Sequence, residues 1–258
     1  MGRTGYLPTK YGEPLTFCSV PATASASTRP SPAAMSSARS RRRIVRQGLS
    51  DSGDIMRTIT AGLFIALDGV VENPQDWHFP YYNDEMGAAV DAQLGAADTL
   101  LLGRKTYDSF AGAWPEREAA GGPDADFGRK LGDARKIVVS RSDHTFTWRN
   151  SEVLQGDLIA GVTALKREPG GDIAISGSVS VVRALLGAGL LDELHLLVHP
   201  IAVRSGMRLF DDADATLPLT LLRSTAFRTG VIHLVYGPGQ QLEGDYDQAK
   251  QHLAHDED

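Results

Sequence analysis

The 258 residues hold one cysteine, Cys18. A lone cysteine excludes an internal disulfide framework and a cysteine metal cluster. It makes a reducing, cytoplasmic setting the expected one. Long hydrophobic runs are also missing: every apolar stretch falls far short of a bilayer span, so no membrane partner is expected. Several catalytic signatures are absent as well. Gly103-Arg104-Lys105-Thr106 lacks the first glycine of a Walker loop, and Gly177 has no companions in G-x-G-x-x-G spacing. His195 and His199 stand four apart, but in strand-like sequence and without the glutamate of H-E-x-x-H; paired core or surface histidines are the plainer reading. No Gly-x-Ser-x-Gly elbow occurs.

Positive charge is scarce outside the amino-terminal segment. Residues 1–55 hold eight Lys/Arg against three Asp/Glu, a net of +5. The remainder holds 26 − 8 = 18 basic and 32 − 3 = 29 acidic residues, a net of −11. An acidic body gives no sequence-independent attraction to nucleic acid, and none is expected as a partner. Only Arg39-Ser40-Arg41-Arg42-Arg43 could serve as a nucleic-acid tether.

What is present divides into three parts. Residues 1–55 include a Pro/Ala/Ser/Thr-rich tract and read as a disordered basic extension. Residues 56–237 carry the periodic pattern of one folded domain, and residues 238–258 form a polar tail. Within the body, residues 58–67 read as a buried strand ended by the turn dipeptide Asp68-Gly69. The loop that follows is dense in aromatics, including Trp77 and Phe79, and suggests either the wall of a ligand pocket or a local minicore. Residues 84–94 have helical spacing, with Asn83 as cap.

The centre of the pattern is the stretch from Leu100 to Phe110, where an apolar strand stops at Gly103 and gives way to helix-compatible residues. A helix starting there aims unpaired N–H groups and a positive dipole end at one point, to which Arg104 and Thr106 add a guanidinium and a hydroxyl. The corner is either a phosphate site or an ordinary strand–turn–helix. Residues 113–132 read as a Gly-, Pro- and charge-rich loop. Strands follow over 136–140, near 152–154 and over 172–175, with a helix over 158–166. Ser140-Arg141-Ser142 suits a second phosphate or a solvated turn. Ser176-Gly177-Ser178, with a helix from Val179, repeats the Gly103 corner. Alternating strands and helices predict a mostly parallel sheet with ligands at its carboxyl edge. Strands over 194–199, 219–227 and 230–236, with a turn at Arg228-Thr229-Gly230, predict an antiparallel finish.

Four elements in this order resemble the dihydrofolate reductase-like family. They are Leu67-Asp68-Gly69-Val70, Gly103-Arg104-Lys105-Thr106-Tyr107, Ser176-Gly177-Ser178, and the block from Gly189-Leu190-Leu191-Asp192-Glu193-Leu194 through His199-Pro200 to Leu209-Phe210. Within the family the resemblance is to stand-alone proteins similar to the carboxyl-terminal reductase domain of the riboflavin biosynthesis deaminase/reductase. It implies a three-layer α/β fold with a mostly parallel central sheet and an antiparallel carboxyl-terminal hairpin. It implies an NADPH-dependent oxidoreductase, formally similar to 5-amino-6-(5-phosphoribosylamino)uracil reductase, acting by hydride transfer on a small molecule such as a pyrimidine or pterin, and needing no metal. It also implies a homodimer paired through the antiparallel end.

By the same resemblance the cofactor phosphates are expected at Gly103, Arg104 and Thr106, the adenosine 2′-phosphate at Ser140 and Arg141, the pyrophosphate at Gly177, Ser178 and Val179, and the nicotinamide near Asp68, Gly69 and Val71. Trp77, Phe79 and Tyr107 are the expected substrate wall, and Asp68 and Asp84 the candidates for proton delivery or substrate orientation. The sequence departs from the riboflavin branch at Ile175-Ser176, where an acidic residue is common, and at Val203-Arg204-Ser205-Gly206. A dihydrofolate or pterin reductase, which would need Asp84 or Glu85 to face the nicotinamide, and a non-catalytic NADPH-binding regulator stay open.

Overall fold

A computed structural model of the chain describes residues 56–142, 145–210, 216–242 and 244. The expected amino-terminal extension and most of the tail lie outside the described residues. Eight strands form one sheet: β1 (Ile59–Ala66), β2 (Ala97–Gly103), β3 (Arg135–Val139), β4 (Ser151–Val153), β5 (Asp172–Ile175), β6 (Glu193–His199), β7 (Leu219–Ala226) and β8 (Ile232–Pro238). Their order is β4-β3-β2-β5-β1-β6-β8-β7. The first six in that order pair in parallel, and β6–β8 and β8–β7 are antiparallel. The mostly parallel sheet with an antiparallel finish is therefore present as expected.

Among the described residues six α-helices flank it: α1 (Asp84–Gly95), α2 (Arg104–Ala111), α3 (Trp114–Ala120), α4 (Ala125–Asp133), α5 (Leu158–Arg167) and α6 (Val179–Gly187). Strand alternation sorts the core into two layers. Ile59, Ala61, Leu63 and Ile65 of β1 face α5 and α6, joining Val162, Leu165, Val182 and Leu185. On the other face Leu100 and Leu102 of β2 pack with Tyr107, Trp114 and Leu131 of α2, α3 and α4. Met86 of α1 covers Leu197 of β6 on that same face.

Local chemistry sets the ends of these elements. Asn83 accepts a hydrogen bond from the Met86 N–H at 3.0 Å and caps α1 as the sequence predicts. Asp157 caps α5 by accepting from Ile159 and Ala160. Lys136, fully buried, donates to the carbonyls of Leu131, Gly132 and Ala134 and closes the end of α4.

Residues 113–132 require a correction: they hold α3 and α4 rather than an open loop. Pro115 falls in the first turn of α3, where a missing N–H costs nothing. Gly128 sits inside α4 because a Cβ there would press to 3.2 Å from Glu118 Cβ on α3. Its role is close helix packing, not a turn. Among the described residues no helix is long and apolar enough to cross a membrane.

A candidate cofactor cleft at the carboxyl edge of the sheet

β2 and β5 are neighbours, so the two glycine corners that follow them meet. The Gly103 N–H donates to the Gly177 carbonyl at 3.3 Å. A Cβ on Gly103 would clash with Ser178 Oγ, and one on Gly177 would lie 2.8 Å from Thr106 Oγ1. Gly177 also has φ +131, a region that excludes other residues, and the peptide to Ser178 is cis. The first turns of α2 and α6 start at these corners, capped by Gly103 and Ser178. Two sets of free helix N–H groups thus converge with the hydroxyls of Thr106, Ser178 and Ser180; the two serine hydroxyls lie 3.0 Å apart.

The β2–β3 register sets Gly103 opposite Val139, which brings the next residues, Ser140 and Arg141, beside the first corner. Ser140 Oγ donates to the Ser142 carbonyl at 2.9 Å, and Arg141 is exposed. Arg104 is half-exposed and reaches Asp108 at 3.4 Å. Val179 opens α6.

The site residues expected after β1 separate. Gly69 turns with φ +84 beside Arg208, while Val71 is buried in the core on the α5–α6 face and offers no side chain to a ligand. The carboxylate of Asp68 accepts from the N–H groups of Arg204 at 2.6 Å and Val203 at 3.4 Å, which hold its pKa below the usual carboxylate value. These bonds fasten the 200–208 loop to the turn after β1.

The expected substrate wall is divided too. Tyr107 is 1% exposed, meets Phe146 edge-on, and accepts the Trp148 N–H through its hydroxyl, so it belongs to the core. Trp77 is buried against Ala66 and Val70 and donates its indole N–H to the Glu72 carbonyl. Phe79 is half-buried and packs 4.2 Å from His78. Asp84 is exposed in the first turn of α1. Glu85 accepts from the N–H of Arg228 at 2.8 Å and ties α1 to the β7–β8 turn.

The sequence pattern set neither His78, one ring of the aromatic loop, nor His199 apart as a site residue. The aromatic loop closes over the sheet as two short 3-10 turns, Pro74–Asp76 and Phe79–Tyr81. Phe64, His78 and His199 gather under it, with His78 stacked on Phe64 at 4.4 Å. Burial pushes the His78 imidazole down to about 4 and His199 in the same direction. The available signal was period two: Phe64 and Ala66 share a face of β1, and His195 and His199 share the same face of β6. Two clefts, of about 210 Å³ beside β7–β8 and about 380 Å³ between α1 and α4, lie away from both corners.

Comparison with known proteins agrees with this architecture. The chain is 29% identical over 189 residues to the uncharacterized protein YyaP of Bacillus subtilis (strain 168), spanning 70% of this chain and 94% of that one. A solved structure from Shewanella sp. PV-4, provisionally assigned to riboflavin biosynthesis, superposes with a TM-score of 0.58 at 17% identity, over 71% of this chain and 99% of that one. A pyrimidine reductase-like protein from Corynebacterium diphtheriae gives 0.50 at 18% identity, over 72% and 93%. At these identities the two structures speak for the fold alone, and the dihydrofolate reductase-like three-layer expectation holds. The family model for the RibD C-terminal domain matches residues 57–233, so the chain belongs to that family.

Proposed function

We propose that this protein is an NADPH-dependent reductase of a small planar heterocycle, formally similar to 5-amino-6-(5-phosphoribosylamino)uracil reductase. The carrying observation is the meeting of the Gly103 and Gly177 corners, with Ser140 and Arg141 beside them. The residues present fit a dinucleotide: glycines leave space where a Cβ would fill it, and two helix starts supply N–H donors. Gly103, Thr106, Gly177, Ser178 and Val179 would hold the pyrophosphate, and Ser140 and Arg141 the 2′-phosphate. The bound dinucleotide supplies a hydride from its nicotinamide. The chain's work is to orient an electrophilic carbon against it and to exclude water.

Titrating the full chain with NADPH and NADH, followed by tryptophan fluorescence, tests this. NADPH should bind more tightly, and Arg141→Ala should weaken NADPH about tenfold (~1.4 kcal/mol) with NADH unchanged. Absence of binding by either nucleotide would reduce both corners to structural turns. Binding without turnover over a substrate screen would favour the regulator reading, which the commitment of Asp68 and Glu85 to other contacts supports. The engagement of Glu85 by Arg228 and the exposure of Asp84 argue against a pterin site read by a carboxylate at the start of α1.

Pairing of two copies through the antiparallel end is part of this proposal. Leu221, Leu222 and Ile232 are exposed on β7 and β8 and give that end an apolar surface. Sedimentation of the full chain should give a dimer, and Leu221→Lys with Leu222→Lys should give a monomer; a monomeric wild type would sink the idea.

A further inference from the structure

We infer that His199 and His78 form the polar wall of the substrate subsite and read an N–H edge of an uncharged planar heterocycle. This rests on the reductase reading and names the residues that would select the substrate.

β6 ends at His199, in register with Ala66, the last residue of β1. The imidazole therefore sits at the carboxyl edge of the sheet, where the chain departs toward Asp68 and Gly69. Four rings surround it nearly edge-on: Trp77 at 5.1 Å, Phe64 and Tyr81 at 5.7 Å, and His78 at 6.0 Å. The walls are flat and apolar, the lining that ligand pockets share.

The hydrogen-bond inventory is unfinished inside this cluster. His199 Nδ1 lies 2.7 Å from the Leu197 carbonyl, which can only accept, so Nδ1 carries the hydrogen. In a neutral ring Nε2 then presents a lone pair. Among the described residues that nitrogen is buried without a hydrogen-bond partner, and His78 Nδ1 is in the same condition. His78 is 3% exposed and His199 fully enclosed. A buried nitrogen without a partner costs stability, a cost that a ligand donor would remove. An N–H of a lactam or amidine ring satisfies the His199 lone pair and stacks among the same aromatics.

Charge narrows the class further. Burial keeps both imidazoles neutral. The carboxylates of Asp68 and Glu85 are engaged by backbone N–H groups of the 200–208 loop and the hairpin turn. A cationic ring would find no counter-charge from them. The strap carrying Pro74–Asp76 and Phe79–Tyr81 forms the outer wall.

The test uses the full chain saturated with NADPH, with Trp77 as the built-in reporter, and two probes: uracil, which has N–H donors, and 1,3-dimethyluracil, which has none. Uracil should bind at least tenfold more tightly, and His199→Phe should erase that preference while NADPH affinity stays constant. Should the variant not fold, histidine-¹⁵N-labelled wild type gives the answer: the His199 Nε2 resonance should move toward the protonated-nitrogen position when uracil is added. Uracil failing to bind an NADPH-saturated protein, equal binding of the two probes, discrimination surviving His199→Phe, or an unmoved Nε2 resonance would each overturn the inference and leave the reductase reading standing. Failure of NADPH itself to bind would instead remove that reading, and the inference with it.

Discussion

Acidification from pH 7 to pH 4.5 should strip about 3 kcal/mol from the stability of the folded protein, roughly 1.5 kcal/mol for each of two imidazoles once solvent screening of the partly exposed rings is allowed for. His78 is held down to about 4 by burial and by the neighbouring His199. His233 is held down to about 4 by burial, by His195, whose Nδ1 lies 3.2 Å from its Nε2, and by Arg223. In the unfolded chain both titrate near 6.5. Between 6.5 and 4 the unfolded state therefore binds more protons than the folded one, and stability is fully present above 6.5 and lost as pH falls toward 4. The window is distinctive, because the lowered carboxylates Asp68, Glu85 and Glu193 lose their contribution only at lower pH. Urea midpoints measured at half-unit steps would show the slope. Replacing His78 and His233 with Phe should flatten it, and a wild-type midpoint constant from pH 7 to 5 would falsify this account. Against a total of about 5–15 kcal/mol for a typical domain, the loss is large.

Asp192→Ala should cost about 2–3 kcal/mol, lowering the melting temperature by roughly 5–10 °C. Lys166 donates to both Asp192 oxygens, at 2.7 and 2.6 Å, and its side chain is only 9% exposed. The same carboxylate accepts the Ile59 N–H at 2.7 Å. Truncation leaves an enclosed ammonium with the Leu190 carbonyl at 3.3 Å as its remaining contact and frees the first N–H of β1. The pair fastens the amino ends of β1 and β6 together, which helps set the register that puts Ala66 beside His199 at the far edge. Adding Lys166→Met to Asp192→Ala should recover part of the loss, since no unpaired charge is then enclosed. Thermal denaturation of the two variants would decide it; a loss under about 1 kcal/mol for the single change would show that the pair is ornamental.

Strand and helix positions were mostly readable because β1, β2, β5 and β6 are largely apolar and Asn83 and Asp157 stand as caps before α1 and α5. The failure at residues 113–132 has a physical origin. Gly121-Gly122-Pro123 marks a real break, but Gly128 and Gly132 belong to a helix that needs small residues against its neighbours, and composition alone does not separate these uses. The glycine corners were readable as corners. That they touch each other was not, because it depends on β5 inserting between β1 and β2. Tyr107 shows the limit at the site: its place after a glycine corner suggested a ligand wall, yet the first turn of α2 rotates it inward onto Trp148 and Phe146. Asp68 shows another. No local pattern marks a carboxylate whose partners, Val203 and Arg204, come so much later in the chain.

That long reach has a kinetic side. Ile59 pairs with Ile173 and Thr60 with Glu193, so the first strand has no neighbour until about two thirds of the chain has been synthesised. On the ribosome, β1 waits as an unpaired apolar segment while β2, β3 and their helices can already associate. Closing so long a loop before any contact rewards it places the molecule among slow folders with high contact order. The two corners that would bind the cofactor consequently meet only once β5 and the turn after it have been made, and a chain stopped before residue 172 carries the Gly103 corner with nothing opposite it.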